Sequence, residues 1–117
     1  MASLFQLAGV DDAASKISTA AAAWSSKAPG VPVFLAAGTL LPTETGYEYS
    51  PTSWQAGPLR VSTDSGDRTV PLPSALLPSQ AWGWPNVNVS LFPHADHVGI
   101  LANGQFLEWL LQLCTQL

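Results

Sequence analysis

Hydrophobic and polar positions along this chain switch between two periods, and the switches mark its elements. Ala13, Ala14, Ile17, Ala20, Ala21 and Trp24 recur at helical spacing behind Asp11 and Asp12, acidic residues that suit the positive end of a helix. Lys27 complements the opposite end, and Pro29-Gly30 stops the helix. Alanine dominates the stripe, so propensity supports this helix more than burial does. Val31 to Ala37 is a continuous apolar run between Gly30 and Gly38, which predicts a strand buried on both faces of a parallel sheet.

Thr39 to Pro58 carries Pro42, Gly46, Pro51 and Gly57 and predicts a long loop, a kind of segment that is usually functional or disordered. Leu59 to Thr63 predicts a short strand, followed by the polar turn Asp64-Ser65-Gly66-Asp67. Pro73 to Ala81 predicts a short helix with proline at its first position, limited by Pro78. Asn86 to Phe92 alternates polar and apolar residues as a strand does, and Pro93 to Gly99 is a loop. Asn103 caps a last helix. Its buried stripe is Phe106, Leu110, Leu113 and Leu117, widened by Leu107 and Cys114, with Gln105, Glu108 and Gln112 facing away.

Strands alternating with helices predict an α/β protein with a parallel sheet covered by helices. With 117 residues the chain makes one domain. Two or three strands make a poor sheet with unpaired edges, so residues 1–117 are expected to form a single C-terminal fragment of a larger domain, or to need a partner. Only 10% of residues are charged, as expected where part of the outside is covered.

The charge distribution removes other classes. The net charge is −4, and the four bases Lys16, Lys27, Arg60 and Arg68 do not cluster. That leaves no electrostatic basis for nucleic-acid binding or for a polybasic membrane patch. Cys114 is the single cysteine, so neither an internal disulfide nor a zinc-type spacing exists. Asn88-Val89-Ser90 matches the glycosylation triplet but falls inside a predicted strand. Residues 1–10 lack a signal-peptide pattern, and no apolar run is long enough to span a bilayer. The chain therefore reads as soluble.

The candidate chemistry lies in two loops. Asp67 follows one predicted strand in a Gly-containing turn, and His97 follows the next, thirty residues on, with a helix after it. This is the order in which an α/β-hydrolase ends, with the acid before the histidine. A carboxylate there holds the imidazole in one tautomer, so that the ring can take a proton from a serine hydroxyl. The plainer alternatives are a turn aspartate capping local N–H groups and an ordinary loop histidine. Asp64 reads as turn chemistry, Asp96 as a solvated loop residue and His94 as a surface residue.

The words around these residues are more specific. Ser65-Gly66-Asp67-Arg68-Thr69-Val70-Pro71, with Ser74 and Trp82 downstream, resembles the acid-bearing motif of the lecithin–cholesterol and phospholipid–diacylglycerol acyltransferase family, approximately G-D-G-T-V-P, then a serine, then a tryptophan. His97-Val98-Gly99-Ile100-Leu101-Ala102-Asn103 resembles that family's histidine motif, a hydrophobic stretch and then asparagine. Pro29-Gly30-Val31-Pro32-Val33, leading to Gly38-Thr39-Leu40-Leu41-Pro42-Thr43, is similar to its strand and G-x-x-x-P-T loop. The resemblance covers residues 29 to 115. Arg68 departs from it where glycine or an acid is usual, and Pro78 lies near where a cysteine is frequent.

The resemblance implies the last parallel strands and flanking helices of an α/β-hydrolase fold. It implies transfer of a fatty acyl group from a phospholipid, through an acyl-serine, to a sterol or diacylglycerol; water as acceptor would make a phospholipase or lipase. His97 would be general base and then acid, Asp67 would orient it, and no metal or cofactor is needed. The implied partners are a phospholipid, an acyl-acceptor lipid, a membrane surface reached through the substrate, and the N-terminal part of the hydrolase domain. The endoplasmic reticulum lumen, the vacuole or the outside of the cell would be the compartment. Trp54, on the long loop, and Trp82 are candidate substrate contacts, with ring packing as the alternative. No G-x-S-x-G occurs in the chain, and loss of a triad serine costs on the order of 10⁶ in turnover. The chain alone is therefore expected to be inactive, and a non-catalytic remnant or binding module is the rival reading.

Overall fold

The computed structural model describes residues 11–51 and 54–116. In chain order the elements are helix α1 (Asp11–Ser25), strands β1 (Val33–Thr39), β2 (Thr43–Glu48) and β3 (Leu59–Thr63), helix α2 (Leu72–Ala75), strand β4 (Val87–Pro93) and helix α3 (Gly104–Gln116). Short 3₁₀ turns lie at Trp54–Ala56 and Gly99–Ala102. The architecture is mixed α/β: β1 and β4 form a parallel pair, and β2 and β3 an antiparallel one.

The parallel pair carries the fold. Its register runs from Val33 opposite Val87 to Thr39 opposite Pro93, so both strands end side by side. The ladder continues one step further, where His94 N–H donates to the Thr39 carbonyl at 2.8 Å. β1 begins and ends two residues later than its apolar run predicts. Pro32 has no N–H to contribute at the start. Gly38 does not end the strand but lies inside it, because a Cβ there would collide with the Ala95 carbonyl oxygen and approach the Asp67 Cβ to 2.9 Å.

The expected loop over 39–58 is corrected by the structure. Thr43–Glu48 is a strand, paired antiparallel with Leu59–Thr63 from Thr43 opposite Thr63 to Glu48 opposite Leu59. Its prolines and glycines hid it from pattern reading, since Gly46 falls at a register shift and Pro42 just before the strand. β3 is therefore no neighbour of β4. The hairpin is an excursion that leaves β1 and returns to it, closed at its base where Leu41 N–H donates to the Gly66 carbonyl at 3.1 Å.

The helix expected over Pro73–Ala81 is a single turn, with turns continuing to Ala81. Pro78 supplies no N–H and disfavours helical backbone at Leu77. α1 forms where predicted, yet Ile17 and Trp24 are exposed, so the alanine propensity and the exposed Lys16–Asp12 pair at 2.6 Å are its local supports. It is tied down at its end, where the Trp84 indole N–H donates to the Ser25 carbonyl at 3.1 Å.

Helix α3 starts where predicted, with the Asn103 side-chain oxygen accepting from Phe106 N–H at 3.0 Å. Its packed face differs from the expected stripe. Phe106, Trp109 and Leu113 are half-buried, whereas Leu107, Leu110 and Cys114 are exposed. Leu117 lies outside the described residues. Phe92 of β4 selects this face, meeting Phe106 at 5.5 Å and Trp109 at 5.7 Å, both edge-on, the geometry that aromatic quadrupoles favour.

Among the described residues the buried apolar side chains are Ala37, Leu41, Leu76, Phe92 and Ala95. They cluster around the end of the parallel pair, beneath the two loops that carry Asp67 and His97. Elsewhere burial is thin. Val89 and Leu91 share one face of β4 by the period of two, and both stay exposed.

Candidate active site

Asp67 and His97 meet at the C-terminal end of the β1–β4 pair, the rim where open α/β sheets place their ligands. His97 Nδ1 lies 2.9 Å from Asp67 Oδ2. A second bond ties the loops through their backbones, His97 N–H donating to the Asp67 carbonyl at 2.9 Å. Both the position and the direction of the imidazole are thus set by one residue.

Asp67 sits in a tight loop between Gly66 and Pro71, which are bridged, with Leu72 N–H donating to the Ser65 carbonyl at 2.9 Å. Its Oδ1 accepts from Thr69 N–H at 3.0 Å and from Val70 N–H at 2.7 Å. The two sequence readings of this residue divide between its two oxygens: Oδ1 caps the turn, and Oδ2 receives the histidine. Burial, the largest single influence, pushes the carboxyl pKa up. It is outweighed by hydrogen bonds from Val70 N–H, His97 and Thr69 N–H, and the net direction is down. The ionised carboxylate can only accept, so Nδ1 carries the proton. In the neutral ring this leaves the lone pair on Nε2, and the His97 side chain is half exposed, against 15% for Asp67. Nε2 has no hydrogen-bond partner among the described residues.

Two residues to which pattern reading gave no role hold the acid loop. Thr43 is 1% exposed; its hydroxyl donates to the Leu41 carbonyl at 2.9 Å and accepts from Arg68 N–H at 3.0 Å. Gly38 leaves the space that Asp67 and Ala95 occupy. Both belong to the G-x-x-x-P-T segment, so the signal was present in the sequence. Gly66 is equally confined, since a Cβ there would strike the Thr43 hydroxyl.

The remaining candidates fall elsewhere. Asp96 accepts from Val98 N–H at 3.2 Å and Gly99 N–H at 2.5 Å, so its carboxylate is spent on the backbone that leads into the 3₁₀ turn. His94 is exposed and takes a left-handed backbone, φ 59°. Trp82 packs against Trp84 with ring centroids 5.2 Å apart and tilted by 44°, and it has no hydrogen bond or ring contact to Asp67 or His97 among the described residues. The backbone of Trp54 is in a 3₁₀ turn, and its side chain lies outside the described residues. No family model matches the chain, and no curated protein sequence matches it.

Proposed function

We propose that this chain is the acid–histidine half of a serine-dependent lipid acyltransferase of the α/β-hydrolase class, whose serine lies outside these 117 residues. The observation that carries the reading is the Asp67–His97 hydrogen bond at the C-terminal rim of a parallel strand pair, on a half-exposed ring whose Nε2 has no hydrogen-bond partner among the described residues. The resemblance of residues 65–71 and 97–103 to the acyltransferase motifs supplies the substrate class. The exposed apolar face of β4 and the unpaired sheet edges support a larger sheet around this one.

In this reading Nε2 takes the proton of the serine hydroxyl as its oxygen bonds to the acyl carbon of a phospholipid ester. The imidazolium, held by Asp67, returns that proton to the departing lysophospholipid oxygen as the ester bond breaks. The same nitrogen then deprotonates the acceptor alcohol, which takes the acyl group and releases the serine. Water in the acceptor's place gives a fatty acid and a phospholipase.

The test uses the protein that joins this chain to its nucleophile, with labelled phosphatidylcholine as donor and diacylglycerol, a sterol or water as acceptor. His97→Ala is expected to lower turnover at least a thousandfold without loss of fold, within the range of general-base and triad contributions. Turnover within tenfold of wild type in a folded His97→Ala protein would refute the assignment. Because the chain lacks G-x-S-x-G, no turnover is expected of it alone.

A further inference from the structure

Arg68 is the departure from the acid-loop motif, and it is strained. Its φ is 76°, a left-handed conformation that glycine adopts freely and a long side chain does not. The strain is locked in, since Arg68 N–H is held by the buried Thr43 hydroxyl and the adjoining Asp67 by Val70 and His97. A residue kept in an unfavourable backbone region beside a candidate site motivates a search for what its side chain does.

Arg68 lines an open cleft of about 450 Å³ together with Pro42, Thr43, Glu44, Ser62 and Thr69. Its guanidinium has no ion-pair partner among the described residues. The one acid in the lining is already engaged: Glu44 pairs with Arg60 at 2.9 Å and accepts from the Tyr47 hydroxyl at 2.7 Å. The cleft therefore combines an unneutralised cation with the hydroxyls of Ser62 and Thr69. A planar guanidinium with hydroxyl donors is the donor set that phosphate oxygens take.

We propose that this cleft is a phosphate-ester subsite, with Arg68 as its specificity-determining residue. It deepens the acyl-transfer reading and rests on it for its biological role. In a glycerophospholipid only the glycerol separates the phosphate from the scissile acyl ester, and in the chain Arg68 directly follows the residue that orients His97. The cleft thus selects donors that carry a phosphate and discriminates against neutral glycerides.

The test is direct binding by the whole chain of two probes, glycerol 3-phosphate in solution and vesicles of phosphatidic acid in phosphatidylcholine. The net charge of −4 opposes general attraction of anions, so binding reports a local site. Arg68→Gly is the deciding variant, because it relieves the strained backbone and so keeps the fold. Loss of a bidentate guanidinium is expected to weaken binding about ten- to a hundredfold. Arg68→Lys is expected to lose less, and His97→Ala nothing. Retained glycerol 3-phosphate binding marks a soluble phosphate ester as ligand; binding to vesicles alone marks the lipid headgroup. No binding of either probe, or equal binding by wild type and Arg68→Gly, overturns the subsite while leaving the Asp67–His97 reading untouched. Acyl transfer retained in a folded His97→Ala protein, with phosphate binding intact and lost in Arg68→Gly, overturns the Asp67–His97 reading while leaving the subsite standing.

Discussion

Replacing Asp67 with asparagine isolates what the carboxylate does for the imidazole. Asparagine has one acceptor oxygen where aspartate has two. If that oxygen takes the place of Oδ1, the donors Thr69 N–H and Val70 N–H stay satisfied and the amide NH₂ faces His97 Nδ1. The opposite orientation would set the NH₂ against two backbone donors, which is worse by at least one unmade hydrogen bond. Two donors cannot face one another, so the ring must shift its proton from Nδ1 to Nε2 and lose the outward lone pair. Bonds to a charged acceptor contribute about 1.5–3 kcal/mol and neutral ones about 1. With Thr69 exposed and His97 half exposed, the low end applies, and the expected destabilisation is about 1–2 kcal/mol. The wrong tautomer costs about 10⁴ in turnover in serine–histidine–aspartate enzymes, or roughly 5 kcal/mol of barrier. Catalysis should therefore suffer far more than stability. Nitrogen NMR of His97 in this chain reads the tautomer directly, and the protein bearing the serine gives the rate. An Nδ1-protonated ring in the variant, or a rate within tenfold of wild type, refutes the reasoning.

Gly38→Ala is expected to cost about 1–3 kcal/mol, the usual penalty for overpacking, because its new Cβ meets the Ala95 carbonyl and Asp67; the urea midpoint reads it, and loss of the His97–Asp67 bond in NMR should accompany it. Phe92→Ala is expected to cost about 3–5 kcal/mol and to undock α3, seen as loss of the near-ultraviolet signal of Trp109. Arg68→Ala should be less stable than Arg68→Gly by about 1 kcal/mol, since only glycine relieves the left-handed backbone; equal melting temperatures would remove the strain argument. Asp67 is held below the ordinary carboxylate pKa of about 3.9. Its contribution is therefore full above that value and is lost as pH falls through the lower folded value. Between pH 6 and 2 the wild type should lose stability more steeply at the acid end than Asp67→Asn does.

Much of the local structure was legible because it depends on local chemistry. The Ala-rich run makes α1, Asn103 caps α3, and Leu59–Thr63 is a strand with the expected bounds. Asp67 and His97 sit in loops whose turn chemistry is written beside them, Asp67 accepting from Thr69 and Val70 N–H and Asp96 from Val98 and Gly99 N–H. β2 was not legible, because a strand with glycine inside and proline before it gains its stability from partners eleven to twenty residues away, from Glu48 opposite Leu59 to Thr43 opposite Thr63. The packed face of α3 was equally hidden: the expected stripe left out Trp109, and only the ring of Phe92 decided that this residue packs while Leu110 stays exposed.

The amino-acid sequence by itself determined which residues could form an acid–histidine pair and which turns would hold each of them. Whether they meet was a tertiary matter. It depends on a parallel register that ends both strands together, and on Gly38 and Thr43, across the hairpin base, leaving room for and pinning the acid loop. A hydrogen bond of 2.9 Å between residues thirty apart is set by the packing of everything between them, and no local preference encodes that distance.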